Sequence, residues 1–263
     1  MIYPHQQEAI RYITDKFQRD PEILALLISG SVSHGFNDGR SDVDLNIVIS
    51  DELYETKKAT HALAYWESAA DIYEDGYFDG KFITLSYLST VAERGNEPSR
   101  FALHDAKIAF DKTERVTELI SRIGIYPSEQ TREKTLRFLS QLEAWKWYCD
   151  EALRKNDRYL LELSVSKLIL FSGRLILADN AIYFPYHKWF LRVLATAPDR
   201  PDGLMEAIHG LLAEKSSANI CRLYDMMKAH KDWVQGHEFS WPSQFIHDVE
   251  NVWMRGDDTV ENI

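Results

Sequence analysis

Two aspartates one residue apart, in the stretch "SDVDLNIVIS" at 41–50, are the side chains that most directly suggest chemistry. Side chains alternate faces along a strand, so Asp42, Asp44 and Asn46 share one face while Val43, Leu45, Ile47 and Ile49 line the other. Two carboxylates that close repel each other unless a cation sits between them. Mg²⁺ or Mn²⁺ is the natural resident, because both prefer hard oxygen ligands and complete their shells with substrate phosphates. Separated from Asp42 by ten residues, Gly30-Ser31 closes the apolar run "EILALLISG". A glycine backbone and a hydroxyl can approach phosphate oxygens closely there. A Gly-Ser pair alone is ordinarily a turn, and Ser41-Asp42 before a strand is ordinarily a cap. Their conjunction with Asp44, a carboxylate inside an apolar strand that burial would penalise, points to a metal and phosphate site.

The elements that must position these groups can be read from periodicity. Residues 5–20 carry Ile10, Ile13 and Phe17 at helical spacing, and Pro4 suits the first turn. Residues 22–30 and 42–50 read as strands, and 51–69 as a helix. "DIYEDGYFDGKFITLSYL" at 71–88 reads as two strands with hairpin signals, followed by a short helix at 86–94 and a strand at 106–111. From 113 onward the strand signals disappear, and the prolines in "YPSEQ", "YFPYHKW", "APDRPDG" and "FSWPSQ" mark helix boundaries. The expected fold class is α+β: a mixed-sheet domain over 1–112, then an all-α helical bundle over 113–263.

Composition narrows the functional classes. With 263 residues, 45% of them hydrophobic, the chain can build its cores without disulfide staples. Cys149 and Cys221 show no zinc-ligand spacing and read as reduced thiols of a cytoplasmic protein. The N-terminal residues lack the apolar core of a leader peptide. The longest apolar run, 160–178, is broken by Glu162, Lys167 and Arg174, so no membrane span is expected, and Lys167 and Arg174 read as a solvated helical face. Residues 1–112 hold 11 Lys and Arg against 19 Asp and Glu, a net charge of −8, leaving −3 for the rest. A long nucleic-acid partner needs a basic stripe, and the half carrying the motif is the more acidic one.

Gly30-Ser31, ten residues, then Asp42-Val43-Asp44 resembles the signature of the polymerase-β-like nucleotidyltransferase superfamily. The resemblance covers about the first 110 residues, and the layout with a helical C-terminal domain is similar to that of small antibiotic nucleotidyltransferases. It implies that Gly30, Ser31 and Ser41 lie at the nucleoside triphosphate and that Asp42 and Asp44 hold two metal ions. It also implies a third carboxylate on a later strand. Glu74, Asp75 and Asp79 are the candidates, since Asp75-Gly76 and Asp79-Gly80 are both hairpin-turn dipeptides. A turn at Asp75-Gly76 leaves the longer returning strand and favours Asp79; a turn at Asp79-Gly80 favours Glu74. In the helical half, "LADNAIYFPYHKWFLRVL" resembles a segment of some nucleotidyltransferase helical domains and makes Lys188 a candidate for the β- or γ-phosphate. His34 lies in the phosphate loop, where a histidine is more often incidental than a ligand.

The expectation is a Mg²⁺-dependent enzyme that moves AMP from ATP, or the corresponding group from another NTP, to a hydroxyl of a small acceptor. Asp79 would orient that hydroxyl and take its proton. Two other readings stand beside it: an enzyme that adenylylates a protein, and a nucleotide-binding or interaction module without catalysis. The aromatic residues of the helical half suit a homodimer interface as well as a core.

Overall fold

The computed structural model describes residues 2–256, 259–261 and 263. The chain divides into two compact units, Met1–Ile125 and Tyr126–Ile263. The architecture is α+β, a five-stranded mixed sheet followed by helices.

In the first unit, α1 (Pro4–Gln18) begins with proline at its first turn and buries Ala9, Ile13 and Phe17. The strands β1 (Ile23–Ser29), β2 (Val43–Ile49), β3 (Ala64–Ser68), β4 (Tyr77–Thr84) and β5 (Lys107–Asp111) lie in the order β3-β4-β2-β1-β5. β2 and β4 run parallel, and the other three pairings are antiparallel. The period-2 pattern of β2 does what it predicts: Val43, Leu45, Ile47 and Ile49 join Ile13, Phe17, Leu26 and Ile28 in one core. The opposite face is also covered, but only at one end. Ala25, Leu27, Val48 and Ile83 pack under α4 (Leu85–Arg94), α5 (Glu97–His104) and α6 (Val116–Ile123).

Three local readings differ from the sequence expectation. The expected helix at 51–69 is α3 (Asp51–Ala59), capped by Ser50, followed after a break at His61 (φ 57°) by the edge strand β3. The alternating exposure of "AYWES" is the strand period, and pairing with β4 overrides the helical reading. Of the two strands expected within 71–88, the first is absent, and 71–75 is a run of turns with Asp75 at φ 59° ahead of Gly76. "LSYL" opens α4, because Thr84 accepts from the backbone N–H of Tyr87 and caps it. The unit boundary falls at 125/126 rather than at 112/113, since Val116, Leu119, Ile120 and Ile123 of α6 belong to the core beside the sheet.

The second unit is helical. α7 (Thr131–Lys155) and α8 (Arg158–Asp179) form its central pair, joined by α9 (Phe190–Leu194), α10 (Leu204–Ala213), α11 (Ser217–His230) and α12 (Trp241–Phe245). Arg174, expected on a solvated face, is fully buried: its guanidinium lies 4.4 Å from the Phe138 ring centroid and 4.6 Å from that of Phe184. Lys167 pairs with Glu261. Cys149 and Cys221 are free thiols. No helix among the described residues is long and apolar enough to cross a membrane.

Candidate active site

Strand register builds the site. Ser29 of β1 pairs with Asp44 of β2, Asp44 with Asp79 of β4, and Asp79 with Trp66 of β3. Directly paired residues point to the same face, so these four side chains form one row across the sheet. The next row on that face is Leu27, Asn46, Lys81 and Ala64, and the one beyond is Ala25, Val48 and Ile83. The face therefore grades from apolar, under α4 to α6, through Asn46 and Lys81, to carboxylates at its open end.

Asp42, Asp44 and Asp79 each place a carboxylate oxygen so that the three atoms lie within 4.8 Å of one another. Asp42 and Asp44 are half-buried and Asp79 is exposed. The turn falls at Asp75-Gly76, which leaves Asp79 inside β4; Glu74 and Asp75 are exposed in the loop. Gly30 sits against this cluster with φ 63°, and a Cβ there would lie 1.7 Å from Oδ2 of Asp44. Only glycine meets both the left-handed backbone and the close approach.

Ser31 is buried, and among the described residues its hydroxyl finds no partner. The same holds for Oδ1 of Asn46, whose amide nitrogen donates to the Ser29 hydroxyl at 2.8 Å. A buried polar atom left without a partner is costly, so unpaired groups beside a carboxylate cluster are fitting contacts for a polar ligand. Ser41 is differently used. Its hydroxyl donates to the Asp38 carboxylate at 3.1 Å and accepts from the Asp38 backbone N–H at 2.9 Å.

Several groups that frame the site were not singled out in the sequence. The buried amide of Gln6 donates to the carbonyls of Asp38 and Ser41, at 2.8 and 3.1 Å, and so holds the loop that delivers Asp42. The Tyr73 hydroxyl donates to the Ser41 carbonyl at 3.2 Å. The Tyr77 hydroxyl is pushed up in pKa, first by the charge of Asp42, then by desolvation and by a hydrogen bond to that carboxylate. Desolvation lowers the pKa of Lys81, while the charge of Asp44 works in the opposite direction. Trp66, 68% exposed, stacks on Tyr77 at 6.5 Å beside the carboxylate row. Lys81 was within reach of the sequence, being two residues beyond Asp79 on the same strand face. Trp66 was hidden by the helical reading of 51–69.

Comparison with known proteins gives a sparse picture. The model of a family described only as a domain of unknown function (DUF4037) matches residues 97–190. No curated protein matches. Among solved structures the chain is similar to a nucleotidyltransferase-like protein from Exiguobacterium sibiricum 255-15. The two are 13% identical over 96% of this chain and 80% of that one, with a TM-score of 0.48. A likeness of that size carries no functional argument.

Lys188 belongs to the second unit. It is exposed, with its ammonium 5.2 Å from the ring centroid of the adjacent Trp189. His34 is the last residue of α2 (Gly30–His34), the short helix that starts with the Gly-Ser pair, and its side chain is only 4% exposed.

Proposed function

We propose that this protein is a divalent-metal-dependent nucleotidyltransferase that transfers a nucleoside monophosphate, AMP from ATP, to a hydroxyl of a small acceptor. The observation that carries the reading is the gathering of Asp42, Asp44 and Asp79 within 4.8 Å against a glycine that no side chain can replace. The donor set fits Mg²⁺ or Mn²⁺, being all carboxylate oxygen with room for phosphate and water on the exposed side of Asp79. Asp42 and Asp44 would hold the ions, with Asp79 completing the set. When bound, such ions neutralise triphosphate charge and lower the pKa of a coordinated hydroxyl.

The chain's own residues supply the rest. The bare Gly30 lets the triphosphate approach Asp44, and the unpaired Ser31 hydroxyl donates to a phosphate oxygen. Lys81, on the face of Asp44, balances charge on the triphosphate. Asp79, the most open carboxylate of the three, takes the proton of the acceptor hydroxyl as that oxygen attacks the α-phosphorus. The α-phosphorus to bridging-oxygen bond breaks in line, and pyrophosphate leaves with the electron pair. The Trp66 and Tyr77 rings offer a flat surface beside the reacting groups.

Calorimetric titration of MgATP into the wild-type protein and into the Asp42→Asn/Asp44→Asn double variant tests the assignment. Mg²⁺-dependent binding to the wild type that is lost in a folded variant is expected. Pyrophosphate release on adding hydroxylated small molecules, abolished by Asp79→Asn, then identifies the acceptor class. Folded wild type that binds no MgNTP, with or without acceptor, overturns the proposal in favour of an interaction module. Release prompted only by a protein acceptor moves it to protein adenylylation.

A further inference from the structure

We propose that His34, His104 and Asp105 form a second metal site, separate from the three aspartates, that takes a borderline transition-metal dication such as Zn²⁺. His34 ends α2, His104 ends α5, and Asp105 follows as the C-terminal cap of α5. One carboxylate oxygen of Asp105 lies 3.1 Å from Nδ1 of His34 and 3.2 Å from Nδ1 of His104. The three candidate ligand atoms all fall within 4.8 Å of one another. Ligands on a tetrahedral zinc, each about 2.0–2.1 Å from the ion, stand about 3.3–3.4 Å apart. Two of the three edges are thus already at nearly the right length, and small side-chain rotations close the figure around an ion.

The rings are held in place before any ion arrives. His34 stacks on Phe101 with centroids 4.3 Å apart, and His104 meets the same ring edge-on at 5.1 Å. The two imidazoles are themselves perpendicular at 5.3 Å. Both rings are largely withdrawn from solvent, His34 with 4% and His104 with 21% of its side chain exposed. Asp105 is 54% exposed, leaving an open side for a water as fourth ligand. In the metal-free protein a hydrogen bond between Nδ1 of His34 and Asp105 holds the same geometry.

Donor chemistry separates the two sites. Three carboxylates select hard ions such as Mg²⁺, whereas two imidazole nitrogens and one carboxylate favour ions toward the zinc end of the series. An ion at the histidine site would tie the last residue of α2 to the end of α5, while the first two residues of α2 are Gly30 and Ser31.

The test uses the full chain stripped with chelator and titrated calorimetrically with ZnCl₂ in excess Mg²⁺. One equivalent of Zn²⁺ is expected to bind the wild type and equally the Asp42→Asn/Asp44→Asn variant. Binding should weaken about tenfold or more in His104→Gln and in Asp105→Asn. The visible absorption of a Co²⁺-loaded sample should collapse in the same two variants. Circular dichroism verifies folding, and if His104→Gln does not fold, the exposed Asp105→Asn decides alone. The proposal is overturned if folded wild type binds no Zn²⁺ in excess Mg²⁺. Zn²⁺ binding unchanged by the His104 and Asp105 substitutions, or lost on substituting Asp42 and Asp44, overturns it equally. Either failure leaves the nucleotidyltransferase reading standing on its own test.

Discussion

Replacing Asp79 by asparagine should stabilise the metal-free protein and abolish its stabilisation by Mg²⁺. Three carboxylate oxygens within 4.8 Å of one another repel when no cation is present. At that separation each pair costs ~0.9 kcal/mol in a water-like dielectric and ~3.5 kcal/mol at an effective value of 20. Asp79 is exposed and its two neighbours are half-buried, so the lower figure governs. Removing its charge relieves two pairs, about 1–2 kcal/mol. For a chain of this size that raises Tm by roughly 2–8 °C. With Mg²⁺ at a hundred times its Kd, the wild type gains about 2.7 kcal/mol that the variant forgoes, so the order of stability inverts. Thermal melts of both proteins in EDTA and in saturating Mg²⁺, at low ionic strength, give the four numbers required. A variant less stable than wild type in EDTA would show that Asp79 serves the fold. An equal Mg²⁺ shift in both proteins would show that the ion binds elsewhere. Either result refutes the reasoning.

Other substitutions probe the neighbouring groups. Gly30→Ala places a Cβ 1.7 Å from Oδ2 of Asp44 at φ 63°; the backbone strain alone costs about 1–2 kcal/mol, and displacement of Asp44 should remove MgATP binding, as denaturation and calorimetry would reveal. Lys81→Met keeps the stem and deletes the charge, so MgATP affinity should fall about tenfold with stability little changed; an unaltered Kd excludes Lys81 from the phosphates. Arg174→Ala empties a slot between Phe138 and Phe184 and should cost about 2–5 kcal/mol in urea denaturation, whereas Arg174→Met should cost much less because an apolar chain fills the slot without a charge to compensate. Cys149 is fully buried and burial pushes its thiol up to about 12, so native protein should be alkylated at Cys221 only, with Cys149 reacting on denaturation; the reverse order would contradict its placement.

The parts legible in the sequence were those whose period was local. The alternation along β2 placed Asp44, with Asp42 one residue ahead of the strand, and the choice between two Asp-Gly turns placed Asp79, because each decision involved only a few neighbouring residues. The strand character of "AYWES" is not legible, because only four residues separate it from α3 and its pairing is enforced by the edge of β4. Gln6 could not be found from pattern at all: it lies on the buried stripe of α1, and its partners Asp38 and Ser41 are 32 and 35 residues away. The same distance problem hid the histidine cluster. His34 and Asp105 are 71 residues apart, and only the packing of α5 beside α2 brings them together.

The gradient along the sheet face explains why the carboxylates can stand where they do. On β2 the sequence Val48, Asn46, Asp44 runs from buried apolar to buried polar to half-buried charge, and on β4 the buried Ile83 gives way to the exposed charges of Lys81 and Asp79. Each strand is anchored by an apolar residue under α4 to α6 before it presents a polar one, so the charged row costs little desolvation and cannot slip without exposing Val48 and Ile83. A one-residue slip of β4 against β2 would also move Asp79 to the opposite face, into the core that holds Phe78. The geometry of Asp44 and Asp79 is therefore secured by hydrophobic residues four positions away along each strand. Val48→Ala combined with Ile83→Ala should consequently loosen Mg²⁺ binding although neither residue approaches the carboxylates. Full Mg²⁺ affinity in a folded double variant would show that the loop held by Gln6, rather than the strands, sets the site.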